Sequence, residues 1–195
     1  MAGRGKNSKG ELAGTFGNPA QRLRGLPLSK VAVEGKSVRF QIGRVAGERT
    51  FEGALSADGK SISGTYSQSG GSVPFSLTRT GDPRIEAAAK SAPIGRELEG
   101  TWNGTLAVDG KQLRFVLTMS NEPDGTATGS IVNLDEGELE IPVSTITQAG
   151  SNLTLDFKTV GGSYAGALNK EGTELVGTYS QGAFVAPLTF RLAKP

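Results

Sequence analysis

Short runs of alternating apolar and polar residues dominate the second half of the chain. Leu113, Phe115, Leu117 and Met119 alternate with Arg114, Val116 and Thr118, and Leu153, Leu155 and Phe157 alternate with Thr154, Asp156 and Lys158. Phe184, Ala186, Leu188, Phe190 and Leu192 do the same with Val185, Pro187, Thr189 and Arg191. A period of two places one face of an extended strand in a core and the other in water. Turn pairs separate the runs at Asp109-Gly110, Asp124-Gly125, Ala149-Gly150 and Glu171-Gly172, each with a residue that tolerates the positive φ of a strand reversal. The pattern predicts eight strands, at 98–108, 111–120, 125–133, 139–147, 152–159, 162–169, 173–181 and 184–192. Their spacing leaves no room for crossover helices, so neighbours in sequence should pair antiparallel. Pro187 has no N–H and is expected to turn its nitrogen away from a partner or to sit at a bulge.

The first half says much the same again. Phe51-Glu52-Gly53-Ala54-Leu55 through Gly64-Thr65-Tyr66-Ser67-Gln68 returns as Tyr164-Ala165-Gly166-Ala167-Leu168 through Gly177-Thr178-Tyr179-Ser180-Gln181. Upstream, Leu26-Pro27-Leu28-Ser29 matches Ile141-Pro142-Val143-Ser144. Such self-similarity indicates a duplicated unit. Residues 98–115 have no upstream counterpart, since Met1 aligns near Val116, in the later part of a second strand. The expected organisation is an incomplete repeat over 1–80, a linker over 81–97 with a short helix at Arg84–Lys90, and a complete repeat over 98–195.

Eight antiparallel strands suffice to close a sheet, so the expected fold is all-β. An up-and-down meander forms an eight-stranded barrel in the C-terminal half, beside an incomplete six-stranded copy in the N-terminal half. A β-sandwich is the alternative. Six open strands would expose two edges and part of an apolar face, which invites pairing with the second unit or with another copy of the chain.

Composition narrows the chemistry. The sequence has no cysteine, hence no disulfide and no thiolate metal site, and no histidine, the usual general base and commonest metal ligand. A serine-histidine-acid triad within the chain is excluded. Residues 1–97 hold fifteen Lys/Arg against eight Asp/Glu, or +7; residues 98–195 hold six against eleven, or −5. Opposite halves could attract each other, within the chain or between copies. Nucleic-acid binding is not expected, because the basic N-terminal stretch carries one aromatic residue, Phe16, and so no stacking platform. No segment reaches transmembrane length, and no apolar run follows the basic start. As written, the chain reads as cytoplasmic; a true start upstream of Met1 would make it periplasmic or secreted.

Gly100-Thr101-Trp102, opening an eight-strand unit, resembles the glycine-x-tryptophan motif of lipocalin-like, or calycin, barrels. Leu98-Glu99-Gly100-Thr101-Trp102-Asn103-Gly104-Thr105-Leu106 and the later Gly161-Gly162-Ser163-Tyr164-Ala165-Gly166 look like a β-barrel domain found ahead of bacterial α/β-hydrolases and peptidases. In those proteins the chemistry belongs to the hydrolase, so the resemblance implies an accessory domain without catalysis. Lipocalins pack an arginine from the end of the barrel over the motif tryptophan. Arg191 is its positional counterpart, on the face opposite Phe190.

The functional expectation is a non-catalytic binding or assembly module without cofactor or metal. If its cavity is open, Trp102, Leu106, Phe115, Leu117, Phe157, Tyr179 and Phe190 would line it and suit a small apolar or amphipathic ligand. The alternative is an inactive accessory region of a secreted hydrolase, truncated or split from it. Trp102 reads first as a plug at the barrel base, and Tyr66 and Tyr179 as a repeated packing device beside a glycine. The acidic run Asp135, Glu136, Glu138 and Glu140 lacks the spacing of a calcium loop and reads as a solvated connection. Ser67 and Ser180, though repeated, have no base.

Overall fold

The structure, a computed structural model, describes residues 3–6, 12–21, 23–42, 49–82, 90–108, 110–135 and 139–193. It divides into two compact units, Met1–Ala87 and Ala88–Pro195. The described residues are all-β apart from single 3-10 turns at Pro19–Gln21 and Arg96–Leu98. Most of the helix expected at Arg84–Lys90 lies outside the described residues.

The first unit is a seven-stranded antiparallel meander: β1 (Gly3–Lys6), β2 (Leu12–Asn18), β3 (Leu23–Glu34), β4 (Ser37–Ile42), β5 (Arg49–Leu55), β6 (Ser61–Gln68) and β7 (Gly71–Thr78), hydrogen-bonded in that order. Six are the strands expected from the repeat, and the four-residue β1 is a seventh. Phe51 on β5 is the hub of the core. Its ring lies 4.8 Å from Phe40, 4.6 Å from Tyr66, 5.1 Å from Phe75 and 5.9 Å from Phe16. Contact between rings on β2 and β5, three strands apart in the ladder, requires the sheet to curl round Phe51. On the opposite face of the sheet, the buried Gln41 side-chain amide donates to the Thr50 hydroxyl at 3.0 Å, which satisfies the cross-strand polar pair.

The second unit contains β8 (Gly100–Val108), β9 (Lys111–Asn121), β10 (Ala127–Asn133), β11 (Glu140–Pro142), β12 (Thr145–Ala149), β13 (Asn152–Phe157), β14 (Gly162–Leu168), β15 (Glu174–Gln181) and β16 (Phe184–Leu192). Its first and last strands pair, with Thr189 opposite Thr105 and Leu192 opposite Trp102. The two edges of the nine-stranded sheet are β11 and β12, consecutive in the chain and separated only by Val143 and Ser144. The sheet therefore curls into a barrel with one seam.

That seam accounts for nine strands where eight were expected. The stretch 139–147 changes neighbour midway: Val143 N–H donates to Gly129 O of β10 at 2.9 Å, and Ser144 N–H to Asp156 O of β13 at 2.7 Å. Pro142, one residue earlier, stands opposite Ser130 with its nitrogen turned away from β10, so its missing N–H breaks no ladder bond. In the first unit Pro27 occupies the same register, opposite Thr15. There β3 stays continuous and switches from β2 to β4 just beyond it, at Leu28, ahead of a bulge between Ser29 and Ala32. Both sheets also set glycine opposite glycine, Gly53 with Gly64 and Gly166 with Gly177, and threonine opposite proline, Thr65 with Pro74 and Thr178 with Pro187.

Carboxylates tie several connections. Asp58 accepts from the Ser56 hydroxyl at 2.6 Å and from Lys60 N–H, and Asp124 accepts from both the hydroxyl and N–H of Thr126 and from Lys90. Asp135 takes the Arg114 guanidinium and backbone N–H, both at 2.6 Å. These bonds favour the charged carboxylate: they lower the pKa of Asp58 and Asp135 and hold Asp124 at about 2. A depressed folded-state pKa stabilises the fold above the ordinary value of 3.8 and ceases to do so as pH falls through the folded value. Urea midpoints should therefore decline between about pH 4 and about pH 2. Asp124→Asn should make that decline shallower, and an unchanged slope would mean that its hydrogen bonds do not survive in solution.

Candidate functional site at the mouth of the second barrel

One end of the second barrel is closed by its own chain. Ser91, within the stretch expected as a linker, bridges to Ala127 of β10, while its hydroxyl accepts from Ile146 N–H of β12 at 2.8 Å. The strap thus crosses the seam between the two. Next along it, Ile94 N–H donates to the Asn121 side chain at 2.9 Å, and that side chain returns a bond to Ile94 O. Gly95 N–H donates to the Gln148 side chain at 2.6 Å. These bonds seat Ile94 and Leu98 in the core, where Leu98 O accepts the indole N–H of Trp102 at 3.0 Å. Trp102 is the plug at the barrel base, fully buried with its one polar atom satisfied.

Above the plug the interior is filled. Trp102, Leu117, Leu155, Tyr164, Leu175 and Phe190 are all 0% exposed. Glycines make room for the rings. A side-chain carbon on Gly104 would lie 2.7 Å from the Phe190 ring. The Tyr164 ring lies over Gly166 and Gly177, and its hydroxyl donates to Leu175 O at 2.9 Å. Burial raises the Tyr164 pKa well above the usual phenol value.

The opposite end carries no strap among the described residues. There the inward-facing side chains are half-buried: Phe115 on β9, Tyr179 on β15, Val108, Ala186 and Val160, all packed on the same core. Phe157 lies beneath them, fully buried, with its ring 6.3 Å from that of Tyr179. The Tyr179 ring covers Gly162, its hydroxyl donates to Gln181 Oε1 at 3.1 Å, and the Gln181 amide donates to Val160 O at 2.8 Å. Tyr66 and Gln68 of the first unit make the same bond at 2.6 Å. Burial pushes the Tyr179 pKa up as well.

The seven residues expected to line a cavity thus fall into two layers. Trp102, Leu106, Leu117, Phe157 and Phe190 are buried against one another, while Phe115 and Tyr179 lie at the mouth. Alternation identified the inward face of each strand but carried no signal of depth along the barrel, and for that reason Val108 and Val160 were missed. Arg191 points outward and pairs with Glu174 at 2.8 Å, away from Trp102, unlike the lipocalin arginine. Asp135 is occupied by Arg114; Glu136 and Glu138 lie outside the described residues. Ser67 shares a hydrogen bond with Ser72 across a hairpin at 2.9 Å.

The glycine pair beneath Tyr164 offers a direct test of the packing. A methyl group on Gly177 would strike the Ala165 carbonyl and the Tyr164 hydroxyl. Gly177→Ala should cost about 1–3 kcal/mol in chemical denaturation, and a neutral result would show that the strands stand further apart than described. Because burial favours the neutral phenols of Tyr164 and Tyr179, stability should fall as pH rises above 10, where unfolded tyrosine ionises first. Phenolate absorbance at moderate alkaline pH should accordingly report fewer than three tyrosines until the protein unfolds.

No protein-family model matches the chain, and no curated protein matches it. A crystal structure of a Bacteroides fragilis protein, provisionally named an outer membrane protein, aligns over 98% of this chain and 87% of its own, at 13% identity and a TM-score of 0.32. A likeness that slight carries no argument about activity. The described residues form two antiparallel meanders with β-barrel character, and no helix among them is long and apolar enough to cross a membrane.

Proposed function

We propose that the chain is a non-catalytic binding module of lipocalin-like build, derived by duplication of one β-meander. Its second unit takes a small apolar or amphipathic molecule at the mouth of the barrel. One observation carries this reading: half-buried aromatic and aliphatic side chains are gathered at the end opposite the strap, above a floor of fully buried rings. Apolar surface left partly open beside a few polar groups is the usual character of a small-molecule site. Tyr179 hydroxyl and the Gln181 amide supply the polar rim. With the interior filled, the ligand rests on Phe157 rather than descending to Trp102, so the site is shallow and its affinity modest. Absence of histidine and cysteine from the sequence, and hydroxyls at Ser67 engaged with other hydroxyls, support a role without catalysis.

The expected result with an environment-sensitive apolar dye such as anilinonaphthalene sulfonate is a saturable rise in emission at one site. Phe115→Ala combined with Tyr179→Ala should weaken it about tenfold, the effect of losing one well-buried aromatic contact. Unchanged dye affinity in that double variant, or no saturable binding by the parent chain, would remove the reading.

A further inference from the structure

The first unit presents the same inner face as the second, and among its described residues no strand covers that face at β7. On β16, Leu188 and Phe190 are buried beneath β8. Their counterparts on β7, Phe75 and Leu77, are only half-buried, and Val73 on the same face is 55% exposed. Among the described residues, β7 pairs with β6 alone and β1 with β2 alone.

Backbone parity shows what that edge offers. Arg79 N–H donates to Lys60 O at 2.7 Å, so alternate residues from Arg79 back bond to β6, and Ser72, Pro74, Ser76 and Thr78 turn their peptide groups to the open side. Pro74 has no N–H; Ser76 and Thr78 have theirs. In the second unit the counterparts of Ser76 and Thr78 are Thr189 and Arg191, the residues that face β8, opposite Thr105 and Asn103. The other flank corresponds too. Gly3–Lys6 of β1 pairs with Leu12–Thr15 as Thr118–Asn121 of β9 pairs with Ala127–Ser130, and Thr118 and Met119 receive the start of β8.

From this correspondence we propose that the first unit is a strand acceptor: β7 and β1 flank a place for one extended segment of β8-like sequence, added antiparallel to β7 in the manner of β8. The chemistry of the segment follows from β8 itself. It needs a bulky apolar side chain where β8 has Trp102, glycine or another small residue two places on where it has Gly104, and an apolar residue two further on where it has Leu106, all facing inward. Its lead-in is acidic, as Glu97 and Glu99 precede β8. Residues 1–87 hold thirteen Lys/Arg against seven Asp/Glu, 13 − 7 = +6, with Lys60 exposed beside the end of β7, where Arg79 pairs with Asp82 at 3.0 Å. Main-chain bonds at an exposed edge supply the affinity, and the alternating side chains supply the selection.

A labelled peptide with the sequence of residues 97–108 is the probe, titrated with the full chain and followed by fluorescence anisotropy. Saturable binding is expected. It should weaken about tenfold for a peptide carrying Gly104→Val, and by as much for protein carrying Ser76→Pro, which removes one outward N–H from the strand that already tolerates Pro74. Ser76→Ala keeps that N–H and should bind as the parent does. Phe115→Ala with Tyr179→Ala should also leave the peptide affinity unchanged, which separates this site from the barrel mouth. The proposal is overturned if the peptide does not bind, if the Gly104→Val peptide binds equally well, or if binding is lost with the mouth residues. A dimer of the chain that excludes the peptide would also overturn it, since the edge would then belong to a second copy.

Discussion

The ladder between β8 and β16 is the constraint on which the second unit depends. It joins the first strand of the meander to the last, and by doing so covers Leu188 and Phe190, which hold Gly104 close beneath the Phe190 ring. With that ladder in place, Trp102, Leu117, Leu155, Tyr164 and Leu175 are fully buried. The first unit has the same register from β4 to β7, the same glycine pair and the same partner-switching proline, yet its inner face at β7 remains partly wet. Among the described residues, β16 is covered by β8 and β7 has no such partner.

Within the barrel, the rings and glycines are complementary. Tyr164 lies on Gly166 and Gly177, Tyr179 on Gly162, and Phe190 on Gly104. Each glycine allows close approach of a ring that would otherwise be forced off its rotamer, and each ring shields backbone that glycine leaves bare. The same economy explains why the interior is filled rather than hollow: large side chains lie along the sheet instead of standing across it.

Much of this was legible in the sequence, for physical reasons that can be named. Alternation fixed which residues of β9, β13 and β16 face inward, since a strand has only two faces. The paired Gly-Thr-Tyr-Ser-Gln runs fixed the correspondence of β6 with β15. Three features were not legible. The strap from Ser91 to Leu98 has neither period nor motif, and it is held by side-chain bonds to Asn121 and Gln148 that no local pattern announces. The break at Val143-Ser144 depends on which neighbour lies on each side, a property of closure rather than of the segment. Depth along the barrel, which separates Phe115 and Tyr179 from Trp102, is set by where the strap enters.

The strap and the closing ladder also differ from the rest of the barrel in how far apart in sequence their partners are. Most pairings join adjacent hairpins, but Thr105 meets Thr189 across 189 − 105 = 84 residues, and Ser91 meets Ile146 across 55. Contacts of such separation cost the most loop entropy and form slowly. The hairpins from β8 to β16, the β8–β9 pair included, need only local closure, whereas the β8–β16 ladder and the strap contacts need distant partners. Among the described residues, the seven strands of the first unit pair only with sequence neighbours, so its ladders carry no contact of comparable separation and the two halves of one chain differ in how much loop entropy their closure costs.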